Sequence, residues 1–74
     1  MLKQVGSNMT EITTATGNRV LFSYETPVAA YTEQGAVRTD TFYSTTTSKH
    51  INKYLGGKDV GAVVAQDWLD RLIK

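Results

Sequence analysis

The fold is decided by the stretch Ser44-Thr45-Thr46-Thr47-Ser48-Lys49-His50-Ile51-Asn52-Lys53-Tyr54-Leu55, where the chain changes character. Before it, β-branched and aromatic residues occur in short runs that are typical of strands. Within it, Ile51, Tyr54 and Leu55 recur at helical spacing and form one apolar stripe. The glycines at positions 56 and 57 are expected to end this helix, because glycine readily adopts the left-handed conformation of a C-terminal cap.

The hydroxyl-rich start of the same stretch predicts the N-terminal cap of the helix. A side-chain oxygen of Thr46, Thr47 or Ser48 can accept a hydrogen bond from a backbone N–H group of the first turn. Lys49 and Lys53 then follow one turn apart on the expected solvent face. The helix is therefore expected to carry the densest positive charge in the chain.

The residues before the helix predict an antiparallel sheet. Residues 9–15 and 19–25 are β-prone runs, and Thr16-Gly17-Asn18 lies between them. Gly and Asn tolerate the positive φ angles of tight turns, so these two runs are expected to form a hairpin. Residues 1–8 have no hydrophobic periodicity and are expected to be a lead-in that is free to fray.

Pro27 interrupts the pattern, because proline has no N–H group to donate to a sheet. The run that follows it is expected either to be an edge strand or to begin at a bulge. Glu33-Gln34-Gly35 is a second turn signal, and residues 36–44 are expected to form the last long strand. The alternation in that strand places Phe42 and Tyr43 on opposite faces, one in the core and one half-exposed.

After the first helix, residues 62–65 leave strand and helix both open, although the β-branched Val63 and Val64 favour a strand. Residues 66–73 have the pattern of a second helix. The predicted fold class is α+β in a single domain of residues 1–74: an antiparallel sheet of three to four strands, a helix, a short strand or extended run, and a C-terminal helix. The predicted core residues are Val20, Phe22, Ile51, Leu55, Trp68 and Leu72.

Composition excludes several classes of function. The 74-residue chain has no cysteine and one histidine, so a disulfide framework and a closed zinc site are not expected. Eight Lys and Arg against seven Asp and Glu are too balanced for bulk attraction to nucleic acid or membrane. The first residues lack the apolar run of a signal peptide, and no stretch approaches the roughly 18 apolar residues of a membrane span. We therefore expect a cytosolic protein with no cofactor and no membrane partner.

Two segments of the chain resemble small uncharacterised proteins that are encoded by tailed bacteriophages. The first is Ser23-Tyr24-Glu25-Thr26-Pro27-Val28-Ala29, the S-Y-E-T-P-V-A of that family. The second is residues 44–52, which match the motif S-x-T-T-S-x-H-I-N. The resemblance spans residues 19–72 and implies a phage origin. It transfers no catalytic or binding residue, because the family has no assigned activity.

The first candidate site consists of polar and basic residues of the predicted helix and the loop after it. Free N–H groups at a helix N-terminus, together with lysines, can hold a phosphate, and aromatic residues of the sheet can stack on bases. The competing interpretation, an ordinary capped helix with a solvated face, is the stronger one, with the histidine bonded to a carbonyl or hydroxyl. The candidate binding residues are Lys49, His50, Asn52, Lys53 and Lys58.

The second candidate is nucleophilic catalysis by a hydroxyl of Ser44, Ser48 or a threonine, with His50 as the base and an acid such as Glu25 or Asp40. So small a domain has little volume left for a pocket once its core is filled. The sequence also has no nucleophile-elbow signature and no glycine-rich phosphate loop. We therefore predict that the protein is not an enzyme.

The leading functional prediction is a non-enzymatic phage binding module that contacts a host or phage protein in the cytosol of the infected cell, for example as an inhibitor of a host factor. The alternative is a single-stranded nucleic-acid-binding protein that uses the basic helix N-terminus and the aromatic residues of the sheet. A homodimer also stays open, because Trp68, Leu72 and Ile73 form a stripe that is either core or a dimer seam.

Overall fold

The computed structural model describes residues 2–73; Met1 and Lys74, which the predicted domain of residues 1–74 includes, lie outside the described residues. Residues 2–73 form an α+β fold with one six-stranded sheet and two helices. The elements in chain order are β1 (Leu2–Gly6), β2 (Met9–Thr13), β3 (Arg19–Ser23), β4 (Thr26–Thr32), β5 (Gly35–Thr39), α1 (Thr45–Leu55), β6 (Ala62–Val64) and α2 (Gln66–Leu72).

The strands lie in the sheet in the order of the sequence. The first five are antiparallel to their neighbours, whereas β6 pairs with β5 in parallel after the chain has crossed over through α1. The predicted α+β class is confirmed. The prediction of three to four antiparallel strands understates the sheet, which is mixed and has six strands.

The two edge strands, β1 and β6, are short and exposed, which is why their sequences lack a clear pattern. Leu2–Gly6, expected as a lead-in, pairs with β2 through a tight turn in which Asn8 has a φ angle of 60°. An edge strand with little burial on either face needs no alternation of polar and apolar residues. At the other edge, Ala62–Val64 is a strand, which decides the alternative that the sequence left open.

The hairpin that Thr16-Gly17-Asn18 predicts is present between β2 and β3, and Gly17 has a φ angle of 89°. The turn predicted at residues 33–35 joins β4 and β5. The strand predicted for residues 19–25 ends earlier, at Ser23, because the chain reverses at Tyr24 and Glu25.

Pro27 lies in a central strand, so the edge-strand alternative is wrong and the bulge alternative is right. Leu21 pairs with Ala29 but the next residue, Phe22, pairs with Pro27, which leaves Val28 as an extra residue in β4. A bulge lets a strand accommodate the missing N–H group of proline.

A helix covers each face of the central strands. Leu21 packs with Ile51 and Leu55 of α1 on one face, whereas Val20 packs with Leu69 of α2 on the other. Two consecutive strand residues can both be buried only when both faces of the sheet are covered. Neither helix in residues 2–73 has the length and apolar character that a transmembrane helix requires.

The predicted core is partly confirmed. Val20, Ile51 and Leu55 are buried, but Trp68 is 36% exposed and the fully buried residue of α2 is its neighbour Leu69. Two further predicted core residues, at positions 22 and 72, are only half-buried. The short α2 offers apolar residues on adjacent faces, so packing rather than periodicity decides which face lies on the sheet.

The segment between β5 and α1 also departs from the sequence prediction. The last antiparallel strand ends at Thr39, and Phe42 and Tyr43 are 72% and 43% exposed, so neither is a core residue. The N-cap of α1 is Ser44 and not the predicted Thr46, Thr47 or Ser48. Ser44 has an extended backbone, and its Oγ accepts a 3.1 Å hydrogen bond from Thr47 N. The C-cap is Gly56, as predicted.

Candidate functional site

The basic residues predicted as a binding site do not form one convergent group. Lys49, Lys53 and Lys58 are exposed, whereas His50 and Asn52 are half-buried and hydrogen-bonded to the sheet. The structure thus divides the five predicted residues into three solvent-facing lysines and two side chains that hold α1 in place.

Asn52 belongs to a set of hydrogen bonds around Arg38 of β5. The guanidinium group donates from Nη1 to Asn52 Oδ1 at 3.1 Å, from Nη2 to Gly57 O at 2.8 Å and from Nε to Val60 O at 2.9 Å. Because these acceptors lie on α1 and on the loop after it, Arg38 fixes the path of the chain from α1 towards β6. Its role is structural.

His50 lies in a cluster of hydroxyl groups between α1 and β3. Its Nδ1 is 2.8 Å from Ser23 Oγ, which is also 3.1 Å from Thr47 Oγ1. The hydroxyl partner of His50 is therefore Ser23, and not Ser44, Ser48 or a threonine as the catalytic hypothesis supposed. Sequence reasoning missed this pair, because Ser23 is far from His50 along the chain.

The geometry of this cluster favours a structural role over nucleophilic catalysis. Ser23 is 2% exposed, whereas a nucleophile must reach its substrate. No carboxylate among residues 2–73 is hydrogen-bonded to the His50 ring, so the described part of the chain provides no acid to orient the base. Residues 2–73 also contain no group of three or more His, Cys, Asp or Glu side chains placed to hold a metal ion.

Tyr24 is the most unusual residue of this region. It occupies the turn between β3 and β4 with a φ angle of 58°, and its N–H group donates a 2.8 Å hydrogen bond to Asn8 O in the neighbouring turn. Its side chain is 55% exposed, and its ring centroid lies 6.0 Å from that of His50. A bulky residue in the left-handed region costs about 1–2 kcal/mol of conformational energy.

Two hollows in the surface flank Tyr24. The smaller hollow, of about 230 Å³, lies towards α1 and has Tyr24 and Tyr43 among its walls. The larger hollow, of about 720 Å³, lies towards β1 and β2. The other lining residues are Ser23, Thr26, Val28, Ser44 and Thr47 in the first, and Gln4, Asn8, Thr10, Glu25 and Thr26 in the second.

Acidic side chains lie at the same end of the sheet. Burial, and then the carboxylates of Asp70 and Asp40, raise the pKa of the Tyr43 phenol above its ordinary value. Gln66 holds Asp70 there: its Nε2 donates to Asp70 Oδ1 at 3.1 Å and to Pro27 O at 2.7 Å, next to the smaller hollow. We call this surface the tyrosine end; its residues are Tyr24, Glu25, Asp40, Phe42, Tyr43 and Asp70.

A second surface lies at the other end of the sheet and along α2. Trp68 and Leu72 contribute to a hollow of about 360 Å³, and Leu72 also borders one of about 370 Å³ beside Phe22. We call these two hollows the tryptophan groove; its other residues are Ile12, Thr14, Ala15, Thr16, Asn18, Thr32, Glu33, Gln34 and Ile73.

Residues 23–29 and residues 44–52, which are far apart in the chain, meet beside the tyrosine end. Ser23 belongs to residues 23–29 and is hydrogen-bonded to Thr47 and His50 of residues 44–52. The sequence did not single out Tyr24 as a candidate site residue, because the alternating pattern of residues 19–25 placed it inside a strand.

A comparison with protein families gives a match over nearly the full length of the chain. A family model matches residues 1–71. The chain belongs to DUF8033, a family of unknown function. The match extends from β1 into α2, so it includes every residue of the tyrosine end and all of the tryptophan groove except Leu72 and Ile73. No curated protein and no solved structure matches the chain.

Proposed function

We propose that this DUF8033 chain is a non-enzymatic protein-binding module of a tailed phage, and that it contacts a host or phage protein in the cytosol of the infected cell through the tyrosine end. The resemblance of residues 23–29 and 44–52 to phage proteins supports the setting. The geometry of the tyrosine end supports binding to a protein through this surface.

The observation that carries the proposal is the conformation of Tyr24. Glycine or asparagine would fit a φ angle of 58° with less strain, and the Tyr24 ring contributes little to the core because more than half of its surface is exposed. Strained, exposed residues that do not stabilise a fold point to a function. Tyr24 therefore has the properties of a contact residue rather than a structural one.

The neighbours of Tyr24 suit a protein partner. Phe42 and Tyr43 are also exposed, and Tyr43 shares the smaller hollow with Tyr24. Aromatic side chains are enriched in the centres of protein interfaces, where they provide large contact areas at low entropic cost. Inhibition of a host factor is the form of the function we favour, because binding alone is sufficient for it.

The geometry favours this function over single-stranded nucleic-acid binding. Base stacking requires exposed aromatic faces beside a cationic groove. Tyr31 of the sheet is half-buried and donates a 2.9 Å hydrogen bond to Tyr54 O beneath α1. Of the exposed tyrosines, Tyr43 lies among carboxylates that would repel phosphate.

Affinity capture tests the proposal. This chain is immobilised, and lysates of a host bacterium, prepared before and after infection, are passed over it. The variants Y24N and F42S remove rings from the tyrosine end, and L2S removes a residue that is 69% exposed on β1. We expect the wild type and L2S to retain the same protein, and Y24N and F42S to lose it. Capture that is identical for all four proteins, or no capture above background, would refute the proposal.

A further inference from the structure

Resting on the proposed function, we infer that the smaller hollow of the tyrosine end receives an arginine side chain of the partner protein. The hollow lies between Tyr24 on the β3–β4 turn and Tyr43 on the segment that leads into α1. Its size, its walls and the charges beside it each agree with this occupant.

The size of the hollow suits one side chain. Its volume of about 230 Å³ lies below the range of about 300–1,000 Å³ that is typical of pockets for small-molecule ligands. It is also open to solvent on one side, so a side chain can enter it while the backbone of the partner stays on the surface. A compact anchor residue is the kind of group that such a hollow holds at an interface.

The walls suit a flat cation. Tyr24 and Tyr43 reach the hollow from different segments, so a guanidinium group between them can lie against an aromatic face. Thr26 and Ser44 are also among the lining residues, and a hydroxyl oxygen can accept hydrogen bonds. Arginine fits better than lysine, because its planar group stacks on aromatic rings and donates five N–H bonds in a fixed geometry.

The charges beside the hollow also suit a cation. Asp40 accepts a hydrogen bond from Thr41, and Asp70 accepts one from Gln66, but neither forms an ion pair within residues 2–73. Glu25, next to Tyr24 in the chain, is exposed and lines the larger hollow. An arginine in the smaller hollow would bring a positive charge to a surface that has unneutralised carboxylates.

The probe for this inference is the capped tripeptide acetyl-Gly-Arg-Gly-amide, with the citrulline peptide as a neutral probe of nearly the same shape. Titration of isotopically labelled protein, followed by amide chemical shifts, is expected to show saturable shifts at Tyr24, Tyr43 and Ser44 with the arginine peptide. The citrulline peptide is expected to leave these signals in place. Equal shifts with both peptides, shifts clustered elsewhere, or no saturable shift would overturn the inference.

The double variant D40N/D70N tests the electrostatic part. Asparagine retains an oxygen that can accept the hydrogen bonds from Thr41 and Gln66, so we expect the fold to be preserved. Affinity for the arginine peptide should fall roughly three- to tenfold, as for the loss of two partly exposed ion pairs, while L2S should bind like the wild type. An unchanged affinity in the double variant would contradict the role of these carboxylates.

The two proposals can fail separately. If Y24N and F42S lose the captured protein but the arginine peptide does not bind, the tyrosine end is an interface and arginine is the wrong occupant. If capture is the same in all variants, the proposed function itself is wrong, whatever the peptide does.

Discussion

The tyrosine end and the tryptophan groove both expose aromatic side chains, but only one of them strains the backbone to do so. Trp68 projects from a regular helix and is 36% exposed. Tyr24 is held in a left-handed turn and is 55% exposed. An exposed aromatic on a helix face is a frequent by-product of packing a small domain, whereas a strained one needs a reason outside the fold.

The two surfaces also differ in which parts of the chain hold them together. Beside the tyrosine end, Gln66 of α2 donates to Pro27 O of β4 and to Asp70, and its Oε1 accepts a 2.7 Å hydrogen bond from Thr39 Oγ1 of β5. At the tryptophan groove, the side-chain hydrogen bonds within residues 2–73 are local to the two turns, from Thr14 to Asn18 and from Thr32 to Gly35. Hydrogen bonds between elements preorganise the tyrosine end, and preorganisation reduces the entropic cost of binding.

The largest expected effect concerns the attachment of α2. Leu69→Ala removes a fully buried side chain and should lower the free energy of unfolding by about 2–5 kcal/mol. Trp68→Ala removes a larger but partly exposed side chain and should cost less. Urea unfolding of the two variants measures which one loses more free energy of unfolding. A greater loss for Trp68→Ala would show that Trp68, and not Leu69, anchors α2.

The next variant is not expected to lower the free energy of unfolding as Leu69→Ala does. Tyr24→Asn relieves the left-handed strain, so we expect the free energy of unfolding to stay the same or to rise by up to about 1 kcal/mol, while capture of the partner is lost. Thermal unfolding in parallel with the capture experiment measures both quantities. A clear loss of stability in Tyr24→Asn would mean that the ring stabilises the fold through its contact with His50, and Tyr24 would then need no functional explanation.

The smallest effect is electrostatic. Burial, Asp70 and Asp40 raise the pKa of Tyr43 in the folded state, so this residue stabilises the fold below its unfolded pKa of about 10 and loses that contribution as the pH rises through the folded value. D70N should move the pKa of Tyr43 back towards its ordinary value. Spectrophotometric titration of the tyrosines, with Tyr43→Phe to assign the signal, tests this, and D67N, which changes the exposed ion pair of α2, is the control.

The sequence predicted those parts of the fold that depend on local chemistry. Gly17 and Asn18 marked the first hairpin correctly, and Gly56 marked the end of α1. The turn at Tyr24 has no such signal, because tyrosine rarely adopts a positive φ angle and its conformation here is imposed by the pairing of β3 with β4. A tight turn without Gly, Asn or Asp could not be read from the alternating pattern that surrounds it.

The candidate site was harder to predict, because it depends on contacts between distant parts of the chain. The sequence predicted a carbonyl or a hydroxyl group as the partner of His50, but that partner, the hydroxyl of Ser23, lies on a strand and comes close only when α1 packs on β3. Similarly, Asp70 lies far from Tyr43 in the chain and comes close to it only when α2 packs on the sheet, where Gln66 is hydrogen-bonded to both Asp70 and Pro27 O. The five candidate binding residues of α1 and the loop after it were predicted from a local pattern, and the structure divides them between the solvent and the sheet.

The parallel pairing of β6 with β5 has a consequence for the order of folding. The strands β1 to β5 are joined by short turns and can pair through local contacts, whereas Val37 meets Ala62 only after the whole of α1 has been placed between them. We therefore expect the antiparallel strands β1 to β5 to pair first, and the segment from β6 through α2 to join them last. Since Asp70 and Gln66 belong to that last segment, the tyrosine end is complete only in a fully folded molecule, and a partially folded chain would not compete for the same partner.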